Sequence, residues 1–180
     1  MIGSDLPNLT AKAVMPGGNI ETISYEDYAV EGQYHLLFFY HADFTWVCPT
    51  ELRELKNRIE EFGTLRTSVW AISTDGVEVH AKWIQEAFEN FLPYALVSDR
   101  NWDMSAYFGC LNEDEGVSYR CTVIIDGEGK IRHYSVNDNN VGRDINDILR
   151  LIAAFQDSDA TGMVAQCGWT PGEEMITPGE

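Results

Sequence analysis

Positive charge is scarce in this chain. Its 180 residues include 12 lysines and arginines against 29 aspartates and glutamates, so the formal net charge at pH 7 is −17 with histidine neutral. Such an excess of negative charge repels the phosphates of nucleic acids and the headgroups of anionic membranes. We therefore expect neither a nucleic acid nor a membrane as a partner.

Long apolar runs are also missing. The apolar stretch from Leu36 to Tyr40 is far too short to span a bilayer. The N-terminal residues Met1 to Asp5 lack the basic start and the apolar stretch of a secretory signal. The sequence therefore predicts a cytoplasmic protein, and its length predicts one well-buried domain rather than two.

Closely spaced cysteine pairs are absent as well. The chain has four cysteines, and none of them forms the Cys-x-x-Cys pair of a zinc ribbon or a thioredoxin motif: Cys48, Cys110, Cys121 and Cys167. In a cytosolic protein this pattern favours free thiols or transient catalytic disulfides over a permanent disulfide framework. The sequence calls for no metal, haem, flavin or other cofactor.

The apolar patterns that are present alternate between strand and helix spacing. The predicted elements are a buried strand at Tyr34 to Tyr40, a helix from Pro49 to Gly63, a strand at Ser68 to Thr74, a helix at Val77 to Phe91, a strand at Tyr94 to Ser98, a short helix at Met104 to Phe108, a hairpin of Thr122 to Asp126 with Lys130 to Val136, and a helix at Arg143 to Phe155. Together they predict an α/β protein with a thioredoxin-like fold, in which helices flank a central mixed sheet.

The last part of the chain follows another pattern. From Asp157 onward glycine and proline recur without apolar periodicity, which is typical of a mobile tail. We therefore expect residues 1–156 to form the folded domain and residues 157–180 to form a mobile C-terminal tail that contains Cys167.

Cys48 is the strongest candidate for chemistry. The segment from His41 to Cys48 leads from the predicted buried strand to the start of a helix, with Pro49 at its first turn. A helix N-terminus presents unpaired N–H groups and partial positive charge, which favour a thiolate over a thiol. Cys48 is therefore predicted to be a nucleophile, the alternative being an inert buried cysteine. Thr45 can offer a hydroxyl to the same pocket.

The run from Phe38 to Leu52 resembles the active-site segment of typical two-cysteine peroxiredoxins of the alkyl hydroperoxide reductase C type. The resemblance continues through Asp114 to Arg120, Ile124 to Asp126, and Val141 to Asp144 leading into Leu149-Arg150, so that it covers nearly the whole chain. It implies a thiol-dependent peroxidase that reduces hydrogen peroxide and organic hydroperoxides and serves antioxidant defence.

The resemblance also implies a role for particular residues. Cys48 would be the peroxidatic cysteine, which becomes a sulfenic acid, and Cys167 the resolving cysteine, which forms an intersubunit disulfide with it. Thr45 and Arg120 would stabilise the developing charge, and Glu51 would orient Arg120. The alternatives are a purely structural ion pair between Arg120 and Glu51 and a free tail thiol at Cys167.

The resemblance leaves the roles of His41, Arg143 and two of the cysteines open. His41 stands where the family has proline, and it can hold the thiolate, relay a proton, or simply face solvent. Arg143 resembles a second family arginine near the pocket, although a solvated charge at a helix cap is the alternative. Cys110 and Cys121 match no role and are expected to be core or interface thiols.

The resemblance further implies partners and an assembly. Electrons would come from a dithiol protein, either thioredoxin or a flavoprotein disulfide reductase, and homodimers would assemble into a ring of five. Two competing functions remain. A redox-switched holdase chaperone on the same ring would need exposed apolar surface rather than Arg120. A thiol-disulfide oxidoreductase would normally have Cys-x-x-Cys, but Glu51 stands three residues after Cys48.

We predict that His41→Pro changes the rate of peroxide reduction without abolishing it, because the substitution restores the family's residue but alters the pocket. Stopped-flow measurement of Cys48 oxidation in the wild type and the variant tests this. A folded variant with no detectable peroxidase activity would refute the prediction.

Overall fold

A seven-stranded mixed sheet forms the centre of the protein in the computed structural model, which describes residues 1–179. The strands along the chain are β1 Thr10–Val14, β2 Ile20–Ser24, β3 Tyr34–Phe39, β4 Thr67–Ser73, β5 Ala95–Ser98, β6 Leu111–Asn112, β7 Val117–Ser118, β8 Arg120–Ile125 and β9 Ile131–Asn137. The large sheet has the order β2-β1-β5-β4-β3-β8-β9, while β6 and β7 pair separately.

Six helices accompany these strands over the described residues. They are α1 Tyr25–Tyr28, α2 Cys48–Asn57, α3 Ile59–Thr64, α4 Val77–Ala87, α5 Asp103–Tyr107 and α6 Ile145–Thr161. None of the helices within residues 1–179 is long and apolar enough to cross a membrane. The expected α/β fold with a central mixed sheet and flanking helices is confirmed.

The position of β3 explains where the candidate nucleophile lies. β3 runs parallel to β4 on one side and antiparallel to β8 on the other, so that Phe38 pairs with both Ala71 and Thr122. All six residues of β3 are buried, as expected for a strand with neighbours on both sides. The chain leaves its C-terminal end at Tyr40 and reaches α2 at Cys48.

The helix predicted from Pro49 to Gly63 is wrong in its length. The backbone at Arg58 adopts φ −108° and ψ 12°, which ends α2 at Asn57 and separates it from α3. Gly63 consequently lies inside α3 rather than at a helix stop. The apolar spacing continues across the break, which is why the sequence pattern does not reveal it.

Two other helix ends differ from the sequence prediction. α4 ends at Ala87 rather than at Phe91, because Glu89 and Asn90 adopt positive φ angles that no helix contains. α6 continues to Thr161, where Gly162 ends it with a φ of 72°. The expected boundary between residues 156 and 157 therefore falls inside a helix, and the division into domain and tail stays a prediction.

By its internal contacts the chain forms two compact units, Met1–Arg143 and a second unit that begins at Asp144. The first contains the whole sheet and a core that includes Leu37, Phe39 and Trp70. In the second, α6 is followed by a bridge between Val164 and Ile176.

The turn of the β8–β9 hairpin requires glycine for reasons of space. A Cβ added to Gly127 would lie 2.5 Å from Cα of Gly32, whose N–H donates to the Gly127 carbonyl at 3.1 Å. A flexible side chain could move away from the added Cβ, but the backbone of Gly32 cannot. A side chain at position 127 would therefore displace the backbone. A Cβ at Gly63 would have no neighbour within 4 Å.

We predict that Gly127→Ala lowers the free energy of unfolding by about 1–3 kcal/mol. The matched control Gly63→Ala should raise it by about 0.5–1 kcal/mol, because alanine favours the helix. Urea unfolding of both variants measures the two changes. Equal effects of the two substitutions would contradict the close contact at Gly127.

Candidate active site

Cys48 is the first residue of α2 and is fully buried. The N-terminal position results from Pro49 at the start of the helix, which needs no backbone donor there. Nη1 of Arg120 donates to the Cys48 sulfur at 3.2 Å. The guanidinium therefore presents a positively charged N–H donor to this sulfur.

Arg120 is held by contacts on both edges of its guanidinium. It is the first residue of β8 and only 2 % exposed. Its Nη1 donates to Oε2 of Glu51 at 2.8 Å, while Nε and Nη2 donate to the backbone carbonyl of Asn139 at 3.1 and 2.7 Å. Buried charge with this many partners is fixed in orientation.

Glu51 connects the two buried arginines. It lies one turn after Cys48 on α2, and its Oε1 accepts from N and Nε of Arg143 at 2.7 and 3.0 Å. Burial acts to raise the pKa of Glu51, but the hydrogen bonds and charge of Arg143, together with the charge of Arg120, outweigh it and hold the pKa below its ordinary value. Glu51 is therefore ionised at neutral pH.

Arg143 is part of this network, so it is not a solvated charge. Its Nη1 donates to the Cys121 carbonyl at 2.8 Å, and its guanidinium lies 3.3 Å from the ring centroid of Phe38. Burial lowers the pKa of Arg143, and Glu51 opposes this effect. The cap of α6 is instead Asp144, whose carboxylate accepts from N–H of Asn146.

Asp43 fixes the loop between β3 and α2 through hydrogen bonds to three other residues. Its carboxylate accepts from the Tyr40 hydroxyl at 2.6 Å and lies 2.7 Å from Nδ1 of His80, and its N–H donates to Asp75 at 2.9 Å. Burial raises the pKa of Asp43, although the hydrogen bond and charge of His80 lower it. These contacts hold the loop next to Cys48.

Thr45 and His41 line a cavity next to Arg120. The cavity has a volume of about 490 Å³ and is also lined by Glu115, Asp138 and Asn139. The hydroxyl of Thr45 donates to the carbonyl of Ala42 at 2.8 Å. Arg120 is also one of the cavity's lining residues.

Asn139 is the site residue that sequence reasoning missed. Besides its carbonyl contact with Arg120, its side-chain amide lies 2.8 Å from Nδ1 of His41. The only signal in the sequence is a run of polar residues after β9, which is also typical of an ordinary loop. His41 therefore makes a specific contact on the cavity wall and does not simply face solvent.

The remaining cysteines lie away from solvent or outside the first unit. Cys110 and Cys121 are free and buried in the core around the sheet. Cys167 is free and exposed, and it belongs to the unit that begins at Asp144. Among residues 1–179, no group of three or more histidine, cysteine or acidic side chains is arranged to hold a metal ion.

Comparison with known proteins is consistent across sequence and structure. Residues 2–134 match the model of the AhpC/TSA family. A peroxiredoxin of Cynops pyrrhogaster is 41 % identical over 181 residues, covering 98 % of this chain and 90 % of the relative. Peroxiredoxin prdx-2 of Caenorhabditis elegans is 40 % identical over 182 residues, covering 99 % of this chain and 89 % of the relative.

Two solved structures show the same architecture. The reduced 2-Cys peroxiredoxin of Plasmodium vivax superposes with a TM-score of 0.93 at 29 % identity, covering 98 % of this chain and 93 % of that one. AhpC of Enterococcus faecalis superposes with a TM-score of 0.84 at 30 % identity, covering 92 % of this chain and 98 % of that one.

We predict that Glu51→Gln lowers the free energy of unfolding at pH 7 by about 3–5 kcal/mol, because it leaves two buried guanidiniums without their carboxylate. The folded-state pKa of Glu51 is depressed, so its stabilisation is present above the ordinary value of 4.5 and is lost as the pH falls through the lower folded-state value. The difference between wild type and variant should therefore shrink in acid.

Urea unfolding between pH 3 and pH 7 measures this difference. Glu54→Gln is a suitable control, because Glu54 lies on the same helix with about half of its side chain exposed. An identical pH dependence for the wild type and Glu51→Gln would show that the carboxylate of Glu51 does not stabilise the fold.

Proposed function

Since the chain belongs to the AhpC/TSA family and is a peroxiredoxin, a thiol-dependent peroxidase, we propose that it reduces hydrogen peroxide and organic hydroperoxides through Cys48 and Cys167. The observation that supports this proposal most directly is the 3.2 Å contact between Nη1 of Arg120 and the Cys48 sulfur at the start of α2. A merely structural ion pair would not need to point a guanidinium at a thiol.

The charge balance of the site supports a thiolate nucleophile. The guanidiniums of Arg120 and Arg143 share the single carboxylate of Glu51, which leaves one positive charge uncompensated. A thiolate at Cys48 supplies the missing negative charge, whereas a neutral thiol does not. Arg120 thereby stabilises the nucleophile before the peroxide arrives.

In the first step the Cys48 thiolate attacks the terminal oxygen of the hydroperoxide. An S–O bond forms, the O–O bond breaks, and its electron pair goes to the leaving oxygen, which takes a proton and departs as water or alcohol. Cys48 becomes a sulfenic acid. Arg120 and the N-terminal N–H groups of α2 face the developing charge, with Thr45 on the adjacent wall.

In the second step the thiolate of Cys167 from a second copy of the chain attacks the sulfur of the Cys48 sulfenic acid. An S–S bond forms and the hydroxyl group, with a proton, leaves as water. The exposure of Cys167 supports this role, because a resolving thiol must be accessible to another subunit. A partner dithiol, either thioredoxin or a flavoprotein disulfide reductase, then reduces the disulfide.

We also propose a cytoplasmic homodimer that assembles into a ring of five dimers and serves antioxidant defence. Large apolar side chains on the loop around Cys48 support assembly, since Trp46 is 94 % exposed and Phe44 is 51 % exposed in the single chain. The same exposed surface favours a second candidate function, a holdase chaperone. Suppression of aggregation by Cys48→Ser protein would support that second function.

The first experiment is to treat the reduced protein with one equivalent of hydrogen peroxide and to separate it by non-reducing electrophoresis. We predict a dimer in which peptide mapping identifies a Cys48–Cys167 disulfide. Cys48→Ser and Cys167→Ser should each abolish the crosslink, whereas the control Cys110→Ser should keep it. A folded protein in which Cys48 stays a free thiol would refute the proposed function.

A further inference from the structure

Asn139 touches both the arginine beside the reactive sulfur and the histidine on the cavity wall. Its backbone carbonyl accepts from Nε and Nη2 of Arg120, and its side-chain amide contacts Nδ1 of His41. We propose that Asn139 is a positioning residue that couples the protonation of His41 to the placement of Arg120. This inference rests on the proposed peroxidase function and deepens it by giving the site a pH dependence.

The contact between His41 and Asn139 requires a particular protonation state. The amide group Nδ2 of Asn139 can only donate, so Nδ1 of His41 must accept at their separation of 2.8 Å. His41 is then neutral, with its proton on Nε2. When His41 takes up a second proton, both ring nitrogens donate and the contact with Nδ2 is lost.

The side-chain amide of Asn139 also has an oxygen that can accept a hydrogen bond from protonated His41. Its Oδ1 is buried and has no hydrogen-bond partner within the described residues. A half-turn of the amide would bring Oδ1 to the protonated Nδ1 of His41. The two orientations of one side chain therefore correspond to the two charge states of the imidazole.

The backbone segment that contains Asn139 is closely packed. Three residues further on, a Cβ added to Gly142 would lie 3.3 Å from Cγ1 of Val47, so the backbone runs close to the start of α2. The carbonyl of Asn139 holds one whole edge of the Arg120 guanidinium. The amide and this carbonyl belong to one residue, so a reorientation of the amide that shifts the backbone of Asn139 loosens the contact between Arg120 and the Cys48 sulfur.

Several titratable side chains share the cavity with His41. The titratable side chains that face it across the cavity are Glu115 and Tyr119 from the segment before β8, Arg120 from β8, and Asp138 after β9. Because imidazole gains its proton between about pH 5 and pH 8, the reactivity of Cys48 should fall as the pH decreases through this range.

The test uses two variants of the full-length protein. His41→Asn keeps an acceptor near the position of Nδ1 but removes the titration. Asn139→Asp supplies a carboxylate that prefers the imidazolium, and Asn140→Asp on the exposed neighbouring residue is its control for added charge. For each protein the rate of Cys48 alkylation by iodoacetamide, mapped by mass spectrometry, and the rate of its oxidation by hydrogen peroxide are measured from pH 5.5 to pH 8.

We expect the ratio of wild-type to His41→Asn rates to fall about threefold to tenfold between pH 8 and pH 5.5, which corresponds to the loss of one net hydrogen bond, the one from Arg120 to the Cys48 sulfur. Asn139→Asp should move this fall to higher pH, and Asn140→Asp should not. A ratio that stays constant with pH would overturn the coupling.

The two readouts distinguish failure of this inference from failure of the proposed function. If the ratio of wild-type to His41→Asn alkylation rates changes with pH but the protein does not react with peroxide, the proposed peroxidase function is refuted. The coupling between His41 and Arg120 is then retained. A constant ratio in an active peroxidase would refute only the coupling.

Discussion

The carboxylate of Glu51 is the interaction on which the site depends. Two guanidiniums are buried beside one another only because this carboxylate lies between them, with contacts of 2.8 Å to Arg120 and 3.0 Å to Arg143. Each arginine in turn is fixed to backbone carbonyls of a different segment. A single side chain on α2 thus aligns the helix that supplies the thiol with the strand that supplies the positive charge.

The sequence predicts structural features that depend on neighbouring residues, but not contacts between residues far apart in the chain. The place of Cys48 at a helix start follows from a buried strand, Pro49 and helical spacing within about fifteen residues, all of which lie next to one another in the chain. The proximity of Arg120 to Cys48 is predicted only by the resemblance, because no periodicity relates residues so far apart in the chain. The break at Arg58 escaped prediction because it is set by backbone angles that many residues tolerate.

Asn139 illustrates a different limit of sequence reasoning. Its contact with Arg120 is made by the backbone carbonyl, which every residue type possesses, so the side chain gives no signal of it. The histidine at position 41, where the resemblance implies a proline, is by contrast visible in the sequence, but its role depends on the amide of Asn139 that lies opposite. Only the folded arrangement connects these two residues.

The pairing of β8 with β3 determines when, during folding, the site around Cys48 is assembled. Cys48 and Arg120 are 72 residues apart, and their contact forms only when β8 aligns antiparallel beside β3. Contacts of such long range close late in folding, because the loop between them must first be ordered. A chain still emerging from the ribosome therefore lacks the guanidinium beside Cys48, and this environment of the sulfur forms only after β8 has joined the sheet.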